Sequence, residues 1–279
     1  MEHVSNVLFV GMHVALVFAF VVRPSWRVCA FAVGSYVVRM WAVTAGYHRY
    51  FAHRSYKTSR AFQLFLAVLG ATAMQNGPIW WASVHRRHHR FSDTPSDPHS
   101  PLERGVWYGH IGWNFDRMRA RPDERSNVAD LMKYPELRFV DNHPWAPLIV
   151  YAVACFLAGG LPALVWAFVV STMAVFHGTM LINSLGHVWG SRRYATQDGS
   201  RNNALLALLT LGEGWHNNHH RCMTSARQGF FWWELDVTYY VLRALAYAGI
   251  VWGVREPTAA ALVSKCSSSG LPAKSAPRS

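Results

Sequence analysis

Residues 4–22 read VSNVLFVGMHVALVFAFVV, nineteen positions without one Asp, Glu, Lys or Arg. As a helix, that run reaches across a bilayer hydrocarbon core of ~30 Å. A second run, 28–47, is interrupted only by Arg39. Two more, 146–162 and 163–183, meet around Gly159-Gly160-Leu161-Pro162, a stretch of turn formers. The pattern predicts an all-α integral membrane protein. Its four transmembrane helices form two hairpins, and the segments between and after them form a helical cytoplasmic cap.

The remaining composition fits that class. The chain has 279 residues, is 51% hydrophobic, has 13 Trp and carries a net charge of +12. Lys and Arg concentrate between residues 49 and 145 and again after His187, on the side shared with the N-terminus when the number of spans is even. The positive-inside rule makes that side cytoplasmic, although Arg23 and Arg27 occupy the opposite short turn. The membrane is then a bacterial inner membrane, or the ER membrane in a eukaryote. Because the charge borders apolar spans and is mixed with Trp and Tyr, lipid headgroups or an acidic protein fit it better than nucleic acid. MEHVSN lacks the basic start of a signal peptide, so the first run reads as a retained anchor. Cys29, Cys155, Cys222 and Cys266 show no CxxC spacing, and neither a disulfide framework nor a thiolate zinc site is expected. Residues 1–256 read as one membrane domain. Residues 257–279 lack periodicity and aromatics and read as a disordered tail.

Nine of the fifteen histidines fall into four tight groups. His48 and His53 follow the second span in GYHRYFAHR. His85, His88 and His89 form VHRRHH. His187 ends the fourth span, four residues after Asn183, and His216, His219 and His220 lie in EGWHNNHH. Positions i, i+3 and i+4 share one helix face, so each HxxHH group is expected to aim three imidazoles at one point. Thr179, Asn183 and His187 share a stripe. His48 and His53 lie ~140° apart on an ideal helix and converge only if the helix ends or unwinds. Neutral imidazole is a ligand for iron, zinc, copper and nickel, and nine ligands are too many for one ion. Two ions with four or five histidines each fit, and a redox-active, oxygen-binding pair of irons is the sharpest reading. A lone histidine usually caps or hydrogen-bonds, and five take that ordinary reading: His3 and His13 near the N-terminus or in the first span, and His99, His110 and His143 as loop residues among aromatics and prolines. His177, inside the fourth span but off the Asn183 face, is an ionisable residue in a membrane run and stays open as a functional candidate.

With these groups assembled, the chain resembles the membrane fatty-acid desaturases of the stearoyl-CoA (delta-9) type from about Thr44 to Asp236. The resemblance rests on TAGYHRYFAHRSYKTSR, WWASVHRRHHRFSDTPSDPHSP, GHIGW, NSLGHVWG and GEGWHNNHH, in that order. TSARQGFFWWELDVTYY looks most like the bacterial branch. The resemblance implies two irons held by His48, His53, His85, His88, His89, His187, His216, His219 and His220, with Asn183 acting through a water. It also implies a kinked acyl tunnel, whose polar and aromatic residues match Gln75, Trp81 and Thr179. One departure is plain. Where animal acyl-CoA desaturases carry an Arg-Asp pair before the second box, this chain has Ser83 and Val84.

The activity so implied is oxygen-dependent insertion of a cis double bond, at delta-9, into an acyl chain on CoA, phospholipid or acyl carrier protein. Arg86, Arg87, Arg90, Arg104, Arg117, Arg119 and Arg121 are available either for a phosphate-bearing headgroup or as a solvated basic face. Electrons are expected from a ferredoxin, a rubredoxin or cytochrome b5 with its reductase, because no haem-type or cysteine-cluster site is evident. Two alternatives compete. A di-iron lipid hydroxylase would use the same ligands. A membrane metal-binding or transport protein would place its ligands near mid-span, where these histidines are not.

Overall fold

The structure, a computed structural model, describes residues 2–116 and 125–263. Arg117, Arg119 and Arg121, Cys266 and residues 264–279 of the expected tail lie outside the described residues. Ahead of them, Ala259–Val263 forms a short helix.

The first apolar run is helical over Glu2–Ala15 (α1), tightens into a 3-10 turn over Leu16–Phe20 and turns ahead of Arg23-Pro24. Its apolar helix covers Asn6–Phe20, shorter than the expected 4–22 span. The residue before a proline disfavours the helical conformation, which sets the stop. Ser25 then accepts from the Val28 N–H and opens α2, Trp26–Trp41.

Two stretches are long and apolar enough to cross a membrane by length and composition, Trp26–Ala52 and Trp145–His187. Four separate spans are therefore not what the structure gives. The second stretch nevertheless has 43 residues, roughly twice what a bilayer core requires. It is broken inside its first helix, Trp145–Ala163 (α5), where Gly159 and Gly160 leave helical geometry and Gly160 adopts φ +63°. Only glycine takes that left-handed conformation cheaply, and Pro162 follows at once. The break falls where the sequence places it. Leu164–Val170 and Ser171–Ser184 (α6) continue the second arm. Along these arms large apolar side chains such as Leu157, 79% accessible, face outward, an arrangement that hydrocarbon accepts and water does not.

Between the two stretches lie α3 (Arg60–Ala71) and α4 (Pro78–Phe91). Ser59 caps α3 by accepting from the Phe62 N–H. α3 packs so closely on the α2 extension that a Cβ at Gly70 would meet the Tyr47 ring at 2.2 Å. α4 starts on Gly77-Pro78, and its cap comes from elsewhere in the chain: Asp141 Oδ1 accepts from Ile79 and Trp80 N–H, each at 2.9 Å. A two-residue ladder, β1 (Lys57–Thr58) against β2 (Val251–Trp252), ties the end of the fold to the segment behind His53. The Arg255 N–H donates to Ser55 O at 2.8 Å and extends that clasp.

Candidate metal centre

Beyond Trp41, helix α2 widens. Over Ala42–Ala52 the backbone is a π-helix, in which each N–H reaches the carbonyl five residues back. The His53 N–H donates to His48 O at 3.1 Å in this pattern. A wider turn stacks residues five apart, and the two imidazole centroids lie 4.8 Å from each other. The unwinding required by an HxxxxH pair takes this form.

The two HxxHH groups do not each converge on a point. His48, His53, His85, His89 and His219 form one group of ligand atoms; His88, His187, His216 and His220 form the other. Each HxxHH segment divides its histidines between the two groups. At ~100° per residue, positions i and i+4 lie about 40° apart, whereas i+3 falls about 60° to the other side. His85 and His89 therefore face one group and His88 the other. On the short helix His216–Arg221 (α7), His216 and His220 pair and His219 turns away. His187 enters from a 3-10 turn, Leu185–His187, at the end of α6.

α7 is fixed by the residues between its histidines. Asn217 Oδ1 accepts from the Arg193 and Tyr194 N–H groups, and Asn218 Nδ2 donates to Glu234 and to the Gln228 carbonyl. Gly214, just ahead, leaves no room for a side chain: a Cβ there would lie 2.0 Å from the Ala207 nitrogen.

Four carboxylates orient the rings from behind. His88 Nδ1 donates to Asp97 at 3.0 Å, His187 Nδ1 to Asp93 at 2.8 Å and His220 Nδ1 to Asp198 at 2.7 Å. His48 Nδ1 donates to Glu213. A carboxylate only accepts, so the proton of each neutral ring sits on Nδ1 and the Nε2 lone pair faces the group. Glu213 is itself held by Arg49, whose Nη2 lies 2.9 Å away and whose Nη1 bridges to Asp236 at 2.9 Å. None of these acids was singled out from the sequence. The available signal was the rule that ligating histidines donate their second N–H to a carboxylate, applied to Asp93 and Asp97 just behind VHRRHH and to Glu213 inside its own box.

Electrostatics favour lone pairs over protons at the centre. Burial first, then the neighbouring imidazoles, hold His53, His85, His89, His216 and His219 well below the ordinary histidine range. Burial also lowers His220, against the opposing pull of Asp198, to about 4. Burial lowers His88 too, but the Asp97 charge outweighs it and the net shift is upward. Burial would raise Glu213; its pairing with His48 and Arg49 brings it down to about 2.

The donor set fits a pair of metal ions. Within the first group Nε2 atoms approach at 3.1 Å (His48 to His219), 2.9 Å (His53 to His85 and His89 to His219) and 3.0 Å (His85 to His89). In the second, His187 and His220 each lie 3.1 Å from His216. Two nitrogens ~2.1 Å from one ion are about 3.0 Å apart at a right angle and about 3.4 Å at the tetrahedral angle. The observed separations match the right angle, as in centres with more than four ligands. Facing lone pairs at 3 Å repel unless a cation lies between them.

A cavity opens beside both groups, lined in part by His48, His85, His88, His216 and Asn183, with an empty volume of about 830 Å³ including its open mouth. Gln75, Trp81 and Thr179 line it together. Gln75 Nε2 donates to Thr179 Oγ1 at 2.8 Å, and Trp81 Nε1 donates to Gln75 Oε1 at 3.3 Å. The three residues matched to a tunnel kink are thus one hydrogen-bonded unit. Asn183 has one contact from its amide, to Met180 Sδ at 3.7 Å.

Other residues are placed differently from expectation. His99, read as a loop residue, is buried, lines the cavity and stacks on His88 with centroids 4.4 Å apart. His177 spends both ring nitrogens on His13 and His110, each at 3.1 Å, and belongs to neither group. Arg86 is committed to Asp130 and to the Phe51 and Ala52 carbonyls, and Arg104 to Asp116. These two serve the protein rather than an open basic face. Ser83 is closed off by Asn127, which accepts from its hydroxyl at 2.9 Å, and Val84 is buried against the cavity.

Residues 8–255 match the family model described as fatty acid desaturase. The chain belongs to the fatty acid desaturase family. It is 40% identical to an acyl-CoA C20 delta5-desaturase of Anemone leveillei, over 91% of this chain and 82% of that protein. It is 41% identical to the chloroplastic palmitoyl-monogalactosyldiacylglycerol delta-7 desaturase of Arabidopsis thaliana, over 85% of this chain and 64% of that protein. It is 39% identical to delta-9 acyl-lipid desaturase 1 of the same plant, over 84% and 77%. Similarity spread so evenly over three double-bond positions marks this desaturase as an oxidoreductase of the acyl-CoA and acyl-lipid class, membrane-associated like its family. These relatives are plant proteins, and the bacterial branch expected from TSARQGFFWWELDVTYY gains no support from them.

Proposed function

We propose that this desaturase binds two irons, one in each histidine group, and uses O2 to introduce a cis double bond at delta-9 of a saturated acyl chain. His48, His53, His85, His89 and His219 would hold one iron, and His88, His187, His216 and His220 the other, with Asn183 acting through a water. The observation that carries the reading is the convergence of the Nε2 atoms in two groups beside the cavity that Gln75, Trp81 and Thr179 line. Reduced irons bound there would supply an oxidant strong enough to take hydrogen from an unactivated methylene. The balance is one –CH2–CH2– unit, O2, two electrons and two protons giving –CH=CH– and two waters.

The protein's own share is positioning. The carboxylates fix tautomer and ring orientation, and the cavity carries the chain past the centre. The Gln75–Thr179–Trp81 unit gives the cavity wall a polar, rigid corner at which the chain bends. With Ser83 and Val84 in place of a charged pair, the headgroup is held by other contacts, and an acyl-lipid substrate accords with that site as well as an acyl-CoA does. The electrons come from an external donor, a ferredoxin, a rubredoxin or cytochrome b5, whose acidic face suits the basic cytoplasmic side of a multi-pass protein. The kinked Trp145–His187 stretch supports two crossings, and with α1 and the α2 stretch makes four.

The test combines metal and product. The purified protein is analysed for iron, then supplied with O2, reductase and donor, and saturated acyl-CoA or phospholipid. A product two hydrogens lighter, with iron near two per chain, is the expected result. A product one oxygen heavier would assign a hydroxylase, and iron-free protein would remove the metal reading.

A further inference from the structure

The two histidine groups are built differently behind their rings. In the four-histidine group His88, His187 and His220 each donate Nδ1 to a carboxylate. In the five-histidine group His48 alone does so among the described residues. The Nδ1 atoms of His89 and His219 are buried with no hydrogen-bond partner among the described residues, as is that of His216 in the other group.

The charges differ as well. Glu213, behind His48, faces the Arg49 guanidinium, which offsets its charge where it stands. Asp93 meets the Ser100 hydroxyl and the Gly199 N–H, and Asp198 meets the Ser200 N–H. Those donors are neutral and leave the negative charge in place. Asp93 and Asp198 also bring their oxygens within 4.8 Å of each other and of His187. Two carboxylates so close repel unless positive charge lies nearby. A cation held by His187 and His220 sits in front of both and relieves that repulsion.

Accessibility separates the groups a third time. His88, His187, His216 and His220 are between 1% and 5% accessible. His53, His85 and His89 are only partly buried, and His53 and His89 lie off the cavity wall. Water and a competing ligand therefore reach the five-histidine group from a side other than the cavity.

We infer that the four-histidine group is the tight metal site, filled first and emptied last, and that the five-histidine group is the exchangeable one. This rests on the two-metal reading of the centre. The number of imidazoles argues the other way, since a fifth ring adds a bond. A carboxylate behind a ligating histidine is worth about 10- to 100-fold in affinity, so two more of them contribute about 100- to 10,000-fold. The carboxylates win over one additional neutral ring, and the two affinities should differ by about tenfold or more. A chain short of metal then holds one ion, in the four-histidine group, and a competing divalent ion enters at the other.

The test measures metal, not turnover. Purified, iron-loaded protein without donor or substrate is dialysed anaerobically against ferrous iron buffered by nitrilotriacetate at graded free concentrations, and iron per chain is determined. The wild type should show two steps about tenfold or more apart in free iron, with a plateau near one ion per chain. Asp93→Asn should shift the tighter step about 10- to 100-fold toward higher free iron and leave the weaker one in place. Glu213→Gln should shift the weaker step alone. Should either variant lose its single elution peak, His53→Ala replaces it, removing the weaker step and keeping the tighter. Two ions leaving the wild type in one step overturn the inference and keep the two-metal reading. A tighter step that moves in Glu213→Gln or His53→Ala overturns it too. Uptake of no more than one ion at saturating iron removes the two-metal reading, and the inference with it.

Discussion

The backbone N–H of His53 donates to the carbonyl of His48 at 3.1 Å, a bond that spans five residues rather than four. It places two imidazoles from one helix in the same group. Deleting Tyr50 restores ordinary α-helical spacing and swings the ring at the His53 position out of the group. Metal content should fall by about half, with the four-histidine group still loaded, because a misdirected ligand costs affinity at its own ion first. Metal analysis after dialysis against a weak chelator reads this directly, and full retention would show that the π turn is dispensable.

Replacing one orienting acid should loosen the ion without removing a ligand. Asp198→Asn keeps the size of the partner of His220 and removes its charge. A loss of about 10- to 100-fold in metal affinity or turnover is expected. Competition with a chromophoric chelator measures the first, and wild-type affinity would mean that His220 is oriented by packing alone.

The pH dependence has a definite sign. His53, His85, His89, His216 and His219 are lowered in the fold, mainly by burial, so the unfolded chain binds more protons below about 6.5. Their contribution to stability is present above that pH and lost as pH falls through it. Glu213, lowered to about 2, adds a second loss below about 4.5. The melting temperature of metal-free protein should be flat from pH 8 to about 6.5 and fall below that. A melting temperature that rises on acidification would contradict the buried, neutral histidines.

The hydrogen bond between Gln75 and Thr179 can be removed at constant shape. Thr179→Val deletes the acceptor of a 2.8 Å bond at the bend of the cavity. The expected outcome is a broadened set of double-bond positions with desaturation retained, read by mass spectrometry of derivatised products. Unchanged positions would make the trio a packing feature.

Gly214→Ala should cost about 3 kcal/mol or more, since its Cβ would fall 2.0 Å from a backbone nitrogen and neither segment can shift without moving α7. Thermal unfolding in detergent measures it.

The nine histidines were legible because their spacing has few other uses. How they divide was not, since i+3 and i+4 both count as the same face until a second helix makes them choose. His88 and His219 show the consequence: each turns from its neighbours toward the other group. Asp93, Asp97, Asp198 and Glu213 escaped notice because an acid in a polar loop looks solvated until the fold buries it behind an imidazole. The Gly159–Gly160 break was readable from backbone chemistry alone. The end of the first apolar run was not, because its helical part stops at Phe20, ahead of Val22 and Arg23-Pro24. Arg39 could be flagged as anomalous, but three of its five acceptors, on Ala167, Ser171 and Thr172, lie 128 to 133 residues away and leave no local trace.

The short clasp of Lys57–Thr58 against Val251–Trp252 bears on when the centre can exist at all. The five-histidine group draws on residues 48 to 89 and then waits for His219, and the four-histidine group waits from His88 to His220. The backbone behind His53 is fastened only once residues 251 to 255 arrive. A ribosome must therefore deliver nearly the whole domain before either ion has a complete set of ligands. Whatever ions the two groups take up, their loading comes late in biosynthesis, and a chain that stalls before His219 and His220 are made has neither ligand set complete.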